Sequence, residues 1–489
     1  MAVCSRAKVN AHACRDAGRR VASCAAGLAV AVPLDSARPP NTEGQMGRAR
    51  LSPMRKPTCQ RLTFHSEDFH SLTHYLFRYP AKFHPPVARA LVERFTSPGD
   101  TILDPFCGSG TLLVEALVLG RNAIGSDVDP VAAFVSRVKT HRLSQQLLGR
   151  HADCLLSKLA EVRRPNSEYV RRQFRDLSER TYREVVESEN LAVPPIPNLC
   201  HWFRRYVVVD LARITRIIQS LDVPTTHCDF FMLTLASIIR NASNADPVPI
   251  SGLEVTSHMK RRDAQGRIIN PFALFDRALR RALESMAEFA SQLPRPSPQA
   301  RVFSADATKL DQHLKQPADA VITSPPYHSA VDYYRRHTLE MYWLRLVRNH
   351  EDRISLRHRY IGQSRVSKRN PFVRDHSLTS SLAAKWECLL RTEDPERADA
   401  FKHYVVAMRE CLVAMAARLP SGHPAVLVVG KSAWNGTTIP TVDLFREIGE
   451  ECYTVRKLFW YPLKNRYMSY SRHNGANIDT EYVIVLERR

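Results

Sequence analysis

The chain has 489 residues, of which 44% are hydrophobic and 24% are charged, a composition that excludes a wholly disordered protein and allows two or three domains. Its 70 lysines and arginines against 49 acidic residues give a net charge of +21, which favours a polyanionic partner, with nucleic acid ahead of an anionic membrane surface. The longest uncharged apolar run, residues 21–33, is too short to span a bilayer. Eleven cysteines without a C-x-x-C pair or zinc spacing indicate neither a metal site nor a disulfide framework, and they fit a cytoplasmic protein.

The first predicted segment, residues 1–60, is an N-terminal extension. It is rich in Arg, Ala, Ser and Pro and shows no hydrophobic periodicity, so we expect it to be disordered. Met46 and Met54 are candidate translation starts within it.

Residues 61–150 begin with a helix, predicted over residues 87–95 from its apolar spacing, and a turn then leads into a short strand at residues 101–103. A glycine-rich bend follows. Ser109 or Thr111 is expected to cap a helix that runs to residue 119, and a second strand ends at Asp127. This order predicts a βαβ half-unit.

Residues 151–300 change character, because charged and apolar residues recur there at helical spacing and strand patterns are rare. We interpret this region as a helical insertion. Strand patterns return in residues 301–489, which include the buried run AVIT at 320–323, a helix at 403–419 and two neighbouring strands at the end of the chain. The whole pattern predicts an α/β fold.

The stretch DPFCGSG lies between the first predicted strand and its helix. Gly108 and Gly110 let the backbone approach a ligand closely, and Asp104 can accept hydrogen bonds from a cationic amino group. Asp127 lies 19 residues beyond Gly108, where an acidic side chain takes the ribose hydroxyls of a nucleoside. The G-S-G spacing favours a small nucleoside ligand over a dinucleotide. A tight turn beside a surface aspartate is the alternative.

The stretch TSPPY follows the strand at 320–323. Pro325 and Pro326 cannot continue a strand, so residues 324–327 form a rigid loop at a carboxyl strand end, where ligands bind in open α/β sheets. On its own, a Pro-Pro pair more often only terminates a strand. Asp306, at a third strand end, is either near an adenine amino group or a solvated loop residue.

Four stretches together, YPAKFHPPVARALVERF, DPFCGSGT, GSDVDP and TSPPY, resemble the S-adenosylmethionine-dependent amino-methyltransferases of DNA. The serine of the last stretch resembles the cytosine-N4 branch of that family. The resemblance implies a class I Rossmann-like methyltransferase sheet with an antiparallel last strand, interrupted here by the helical insertion, and S-adenosylmethionine as cofactor. It also implies roles for individual residues: cofactor binding by Lys82, Asp104, Phe106, Gly108, Gly110, Asp127 and Asp306, and catalysis by Ser324, Pro325, Pro326 and Tyr327.

The chemistry explains why such a loop is rigid. A nucleobase amine is a poor nucleophile because its lone pair is delocalised into the ring, so the site must hold the amine protons with fixed acceptors. The Ser324 hydroxyl and the Pro325 carbonyl can do this, and Tyr327 can stack on the base, an interaction worth roughly 1 to 3 kcal/mol. The base must first be flipped out of the duplex.

Target recognition is expected in the insertion, as is usual for this family. Candidate DNA-contacting patches are residues 260–262, residues 333–337 and residues 357–370, although each basic run alone is more often a solvated face. The expected partners are double-stranded DNA and a cognate restriction endonuclease, with no membrane partner.

The sequence therefore predicts a methyl transfer from S-adenosylmethionine to cytosine N4 in DNA. Adenine N6 is the nearest alternative because both amines present the same geometry. RNA guanine-N2 methylation is another, because DPFCGSG with a Pro-Pro-Tyr loop also resembles tRNA methyltransferases, although these usually carry Asp or Asn at the position of Ser324. A non-catalytic DNA-binding protein of the same fold is the third.

Overall fold

The computed structural model describes residues 59–64, 71–247, 252–328, 333–367, 370–374, 376–434, 437–463 and 479–489. These residues belong to one compact unit, Lys56–Arg489. Of the predicted disordered extension, residues 1–58 lie outside the described residues. The prediction is wrong at its end, because Cys59–Arg61 is a strand. Its three residues are too few to show an alternating pattern, and the strand is stabilised by pairing with a distant part of the chain, residues 458–460.

Within the described ranges, eight strands form the main sheet, and two more form a separate antiparallel pair. In chain order the strands are β1 Cys59–Arg61, β2 Thr101–Asp104, β3 Asn122–Asp127, β4 Ala300–Ser304, β5 Ala320–Thr323, β6 Pro424–Gly430, β7 Ser432–Trp434, β8 Thr437–Ile439, β9 Tyr453–Pro462 and β10 Thr480–Arg488.

The main sheet has the order β1-β9-β10-β6-β5-β2-β3-β4. The run from β4 to β6 is parallel throughout, whereas β10 is antiparallel to both of its neighbours, β6 and β9. This topology confirms the predicted Rossmann-like sheet with an antiparallel last strand, and the two closing strands are neighbours as expected.

Helices cover both faces of the sheet and account for the insertion. In chain order they are α1 Pro85–Phe95, α2 Thr111–Val118, α3 Pro130–Thr140, α4 Gln145–Val162, α5 Asn166–Arg172, α6 Glu179–Ser188, α7 Leu199–Trp202, α8 Arg205–Gln219, α9 Thr225–Ala242, α10 Ser257–Ala264, α11 Pro271–Gln292, α12 Tyr333–Arg336, α13 Thr338–Trp343, α14 His350–Arg357, α15 Pro371–Arg374, α16 Ser381–Glu393, α17 Pro395–Ala416 and α18 Thr441–Gly449, with a 3-10 helix at Ala307–Gln312. In the described part of the chain, no helix is long and apolar enough to cross a membrane.

The insertion from α4 to α11 is helical as predicted, and its longest helix shows why. The Asn270 side chain accepts a hydrogen bond from the Ala273 backbone N–H, and Pro271 occupies the first turn, so the start of α11 is capped. Phe275, Met286 and further apolar residues then bury one face of α11 against the core. The role of this insertion in target recognition stays a prediction.

Two local predictions are wrong. Neither Ser109 nor Thr111 caps α2, because Gly110 takes the N-cap position in a left-handed conformation with no side-chain cap. The helix expected at 403–419 begins at residue 395 instead, because Asp394 caps it and Pro395 opens its first turn.

Candidate active site

The order in which the chain adds strands to the sheet reverses between β2 and β5. From β2 the chain continues to β3 and β4 on one side, and it reaches β5 and β6 on the other. Such a switch point leaves a crevice at the carboxyl ends of the strands, and a cavity opens there. The predicted site residues in its wall are Lys82, Asp104, Phe106, Gly108, Asp127, Asp306, Ser324 and Pro326.

Asp104 joins the two central strands at the floor of the cavity. Its carboxylate accepts a hydrogen bond from the Thr323 hydroxyl at 2.6 Å, across from β5, and one from the Phe106 backbone N–H at 3.2 Å. Burial raises the pKa of Asp104 to about 7, although both hydrogen bonds lower it. A carboxylate in this position is stabilised by a cation placed in the cavity.

Asp127 holds the glycine-rich bend to the end of β3. Its carboxylate accepts from the backbone N–H of Gly108 at 2.8 Å and from that of Asp129 at 2.9 Å. Burial, and then the neighbouring Asp129 carboxylate, raise the pKa of Asp127 to about 7. The cavity therefore contains two carboxyl groups at neighbouring strand ends, both of which favour a cationic or hydrogen-bond-donating ligand.

The bend at residues 107–110 is also held from behind by α3. The Ser136 hydroxyl donates to the Gly108 carbonyl at 2.7 Å, and the side-chain nitrogen of the buried Lys139 donates to the Ser109 carbonyl at 2.6 Å. Gly110 is not in the cavity wall. It packs against α3, so closely that an added Cβ would lie 2.8 Å from the Ser136 Oγ. Gly110 is thus required for packing of the bend on α3, whereas the sequence interpretation placed it against the ligand.

Three hydroxyl groups give the cavity unused hydrogen-bonding capacity. Ser109 Oγ, Thr111 Oγ1 and Tyr360 Oη are buried and have no hydrogen-bond partner among the described residues, and all three residues line the cavity. Buried polar groups are normally satisfied, so a polar ligand is the natural partner for these. A nucleoside with an amino-acid tail offers many donors and acceptors, and it therefore fits this wall.

Lys82 and Asp306 lie at other points of the same wall. The Lys82 ammonium donates to the His74 carbonyl at 3.3 Å and lies 3.7 Å from the Tyr75 ring centroid, and burial lowers the pKa of Lys82 to about 8. Asp306 caps the 3-10 helix, accepting from the Thr308 backbone N–H at 3.0 Å. Cofactor contacts by both residues stay predictions.

The rigid loop brings Ser324 and Pro326 to the cavity, but it turns Tyr327 away from the wall. The Tyr327 hydroxyl donates to Glu481 at 2.7 Å, and its ring contacts Gly430, where an added Cβ would come within 2.5 Å. Pro325 is buried and also outside the wall. Burial, then the Glu481 carboxylate, raise the pKa of Tyr327 well above its usual value. Stacking of Tyr327 on a base stays a prediction.

Two of the three basic patches contain residues that face the cavity or the protein interior, and DNA contact by all three patches stays a prediction. Arg359, Tyr360 and Ile361 line the cavity instead of forming only an outer face. In the patch at 333–337, His337 is buried and its Nδ1 lies 3.1 Å from the Asp129 carboxylate. Residues 260–262 do lie exposed on α10.

Sequence reasoning missed several residues of the site. Tyr360 and Ser136 carry no local motif, and they reach the site only through tertiary packing. Tyr79 lies over Gly108, 3.5 Å from the position of an added Cβ, and its place within the FRYPAKF stretch was the one available signal.

Comparisons with known proteins agree with this geometry. Residues 40–134 match the family described as DNA methylase. The type II methyltransferase M.MvaI of Kocuria varians is 24% identical over 472 residues, which cover 90% of this chain and 96% of that protein. The type II methyltransferase M.BsoBI of Geobacillus stearothermophilus is 27% identical over 288 residues, 55% of this chain and 52% of its own. A tRNA (guanine(10)-N2)-dimethyltransferase of Methanothermobacter thermautotrophicus is 44% identical over 54 residues, only 11% of this chain and 16% of its own.

Proposed function

Because the chain belongs to the N4/N6 DNA methylase family, and is therefore a DNA methyltransferase that uses S-adenosylmethionine, we propose that its target is the N4 amine of cytosine in a specific DNA sequence. One observation carries this proposal: Ser324 and Pro326 lie in the wall of the same cavity as the glycine bend and the carboxylates of Asp104 and Asp127. Methyl donor and acceptor base can then meet at one crevice.

The residues of the wall have complementary tasks in this reaction. S-adenosylmethionine supplies an electrophilic methyl group on a sulfonium. The carboxylates of Asp104 and Asp127 attract the cationic part of the cofactor and accept hydrogen bonds from its ribose hydroxyls. Lys82 attracts the carboxylate end of the cofactor. The ligand also offers partners to the buried hydroxyls of Ser109 and Thr111. Bringing the cofactor into this crevice orients it before the base arrives.

Ser324 and Pro325 act on the acceptor base. The Ser324 hydroxyl in the cavity wall accepts one amine proton, and the carbonyl of the neighbouring Pro325, a residue outside the wall, is the proposed acceptor for the other. This turns the nitrogen lone pair toward the methyl group. Because the two prolines restrict the backbone of the loop, these acceptors need little reorganisation in the transition state. The target base is inside a duplex, so it must be flipped into the crevice.

Adenine N6 is the second candidate, since its amine has the same donor pattern. The serine in the loop favours cytosine, by resemblance to the N4 branch. RNA guanine N2 has weaker support, because the likeness to the tRNA enzyme covers only 11% of this chain. Double-stranded DNA is thus the proposed substrate, and a cognate restriction endonuclease is the proposed biological partner.

Nucleoside mass spectrometry of duplex DNA methylated by the purified protein tests the proposal. We expect N4-methylcytosine, formed in proportion to the S-adenosylmethionine consumed. N6-methyladenine without N4-methylcytosine would assign the enzyme to the other amine. A tRNA substrate in a parallel reaction tests the third candidate.

Asp127→Ala should abolish binding of labelled cofactor, and a protein that binds DNA but no cofactor would be a non-catalytic member.

A further inference from the structure

Residues 359–362 form a short segment that lies against two parts of the candidate active site. Its first three residues are in the wall of the cavity, together with the glycine-rich bend and the end of β3. Gly362, the fourth, packs on the catalytic loop, since an added Cβ would lie 2.9 Å from the Tyr327 carbonyl oxygen. A segment without a recognised motif therefore contacts the loop and lines the cavity.

The protein itself fixes the position of Tyr360 in this segment. The Gln363 side chain donates to the Tyr360 carbonyl at 2.9 Å. The Tyr334 ring packs edge-on against the Tyr360 ring, with 5.9 Å between the ring centroids, and only 4% of Tyr360 is exposed. Because both its main chain and its ring are held, Tyr360 presents its hydroxyl with little freedom left to lose on binding a ligand.

The Tyr360 hydroxyl lacks the partner that a buried hydroxyl normally has. Its oxygen is buried and forms no hydrogen bond with any residue that the structure describes. The cavity that Tyr360 lines gives room for a partner from a ligand. A phenol hydroxyl can both donate and accept, so it can pair with a ribose hydroxyl, an amino group or a carboxylate.

We propose that Tyr360 is a cofactor-binding residue, whose hydroxyl forms a hydrogen bond with the nucleoside or amino-acid part of S-adenosylmethionine. Among the described residues of the wall, the catalytic loop contributes Ser324 and Pro326, whereas most others belong to the glycine-rich bend, the strand ends and the stretch around Lys82. The cofactor, and not the flipped base, therefore fills most of this cavity. The inference rests on the proposed function for the place of the cofactor, but not for the choice of amine.

Tyr360→Phe tests the inference because it removes the hydroxyl and keeps the ring. The Kd for S-adenosylmethionine, measured by calorimetry without DNA, should rise roughly 2- to 10-fold, the usual effect of losing one hydrogen bond. The Kd for S-adenosylhomocysteine should rise by the same factor, because the two ligands share their nucleoside and amino-acid parts. The Tm of the ligand-free protein should stay the same or rise, because the variant lacks a buried hydroxyl that has no partner.

Tyr342→Phe is the matched control. The Tyr342 hydroxyl is also buried without a partner among the described residues, but Tyr342 is not in the cavity wall, so both Kd values should stay unchanged. An unchanged cofactor Kd for Tyr360→Phe would overturn the inference, and a raised KM for DNA alone would assign the hydroxyl to the base instead. A lower Tm together with weaker binding would assign it a structural role and also overturn the inference.

Failure of the proposed function looks different from failure of this inference. If the cofactor occupied another site, Asp127→Ala would still bind it. If the target were another amine, the wild-type protein would form no N4-methylcytosine, whereas the effect of Tyr360→Phe on cofactor binding would remain.

Discussion

Two carboxyl groups at adjacent strand ends give the cavity its electrostatic preference. Burial raises the pKa of both Asp104 and Asp127 to about 7, so each is only partly ionised at neutral pH without a ligand. A cation in the cavity favours the ionised forms. Binding of a sulfonium cofactor and ionisation of these two residues are therefore coupled, and each promotes the other.

This coupling predicts a pH dependence of cofactor affinity. As pH falls from 7.5 to 5.5, both carboxyls become neutral and their attraction for the sulfonium is lost. The affinity should weaken roughly tenfold, as expected if binding lowers one carboxyl pKa by about one unit. Lys82, whose pKa is about 8, is already mostly protonated in this window and should add little. Calorimetric titration of S-adenosylmethionine at several pH values measures the effect.

The control for that experiment is Asp104→Asn, which keeps one side-chain oxygen to accept from Thr323 and Phe106 but removes one titrating group. Its affinity should be lower at pH 7.5 and should depend less on pH than that of the wild type. An affinity independent of pH in the wild type would show that neither carboxylate contacts the cationic part of the ligand.

Ser324 is expected to act on the methyl-transfer step and not on cofactor binding. Ser324→Ala removes one of the two acceptors for the amine protons, and we expect kcat to fall about 10²-fold, as when one preorganised hydrogen-bonding group is removed from an active site. The Kd for S-adenosylmethionine should stay unchanged. Single-turnover methylation of a duplex oligonucleotide gives the rate, and an unchanged rate would contradict the assignment of the loop.

At the scale of elements, the glycine-rich bend depends on its contact with α3. Gly110 has φ +74°, and an added Cβ would meet the Ser136 Oγ at 2.8 Å. Gly99 has a similar positive φ of +94°, but no atom of the described residues lies within 4 Å of the position that its Cβ would take. Alanine variants at the two positions can therefore separate the cost of backbone strain from the cost of close packing.

Alanine at each position should have a different cost. Gly99→Ala should lower the free energy of unfolding by about 1 kcal/mol, from left-handed strain alone. Gly110→Ala should lower it by roughly 2 to 4 kcal/mol, because overpacking against α3 adds to that strain. Urea unfolding of both variants measures the difference. Equal costs would mean that Ser136 moves aside without penalty.

How far the sequence predicts such elements depends on how local their determinants are. Strand ends and the Asp104, Asp127 and Ser324 positions follow from short patterns, because the topology of a parallel sheet brings its carboxyl ends together. The places of Lys139, Tyr360 and Glu481 could not be predicted, because each reaches the site only by packing against residues far away in the chain. The Tyr327 contact with Glu481, for example, joins residues 154 positions apart.

Within the insertion, a histidine pair joins α4 to α9. His151 Nδ1 lies 2.8 Å from His227 Nδ1, so one ring nitrogen must donate and the other accept. Burial, and then the neighbouring His151 and His141, lower the pKa of His227. The folded state therefore prefers the neutral ring, and the unfolded state binds more protons below pH 6.5.

The stabilising contribution of this pair should be complete above pH 6.5 and decrease as pH falls below it. Urea unfolding at pH 7.5 and 5.5 measures the change in the wild type and in His227→Gln. Buried carboxyls add a slope of the opposite sign, but that slope is common to both proteins. The variant should lose less stability on acidification than the wild type, and an equal loss would show that the pair does not titrate on unfolding.

At the scale of the whole molecule, a net charge of +21 attracts DNA wherever the positive charges lie, so it cannot by itself identify a recognition surface. The exposed patch Lys260, Arg261 and Arg262 on α10 is the part of the insertion that the sequence predicts to contact phosphates. On α6, Arg180 and Arg183 are equally exposed, but they pair with Glu184 and Glu179 at 2.7 and 2.9 Å. A comparison of variants in the two helices can therefore separate the effect of phosphate contacts from the effect of net charge on DNA binding.

Replacing Arg261 and Arg262 together by alanine should weaken binding to all duplex sequences. If each residue contacts one phosphate, the slope of log K against log salt should decrease in magnitude by about 1.8, since each contact releases about 0.9 counterion. The double variant of Arg180 and Arg183 removes the same net charge and should change the slope much less. Fluorescence anisotropy between 50 and 200 mM salt, with cofactor present, measures both. Equal changes in the two variants would mean that net charge alone attracts the DNA and that α10 does not contact it. The reason is that the effect of a phosphate contact depends on the position of the residue, whereas the effect of net charge does not.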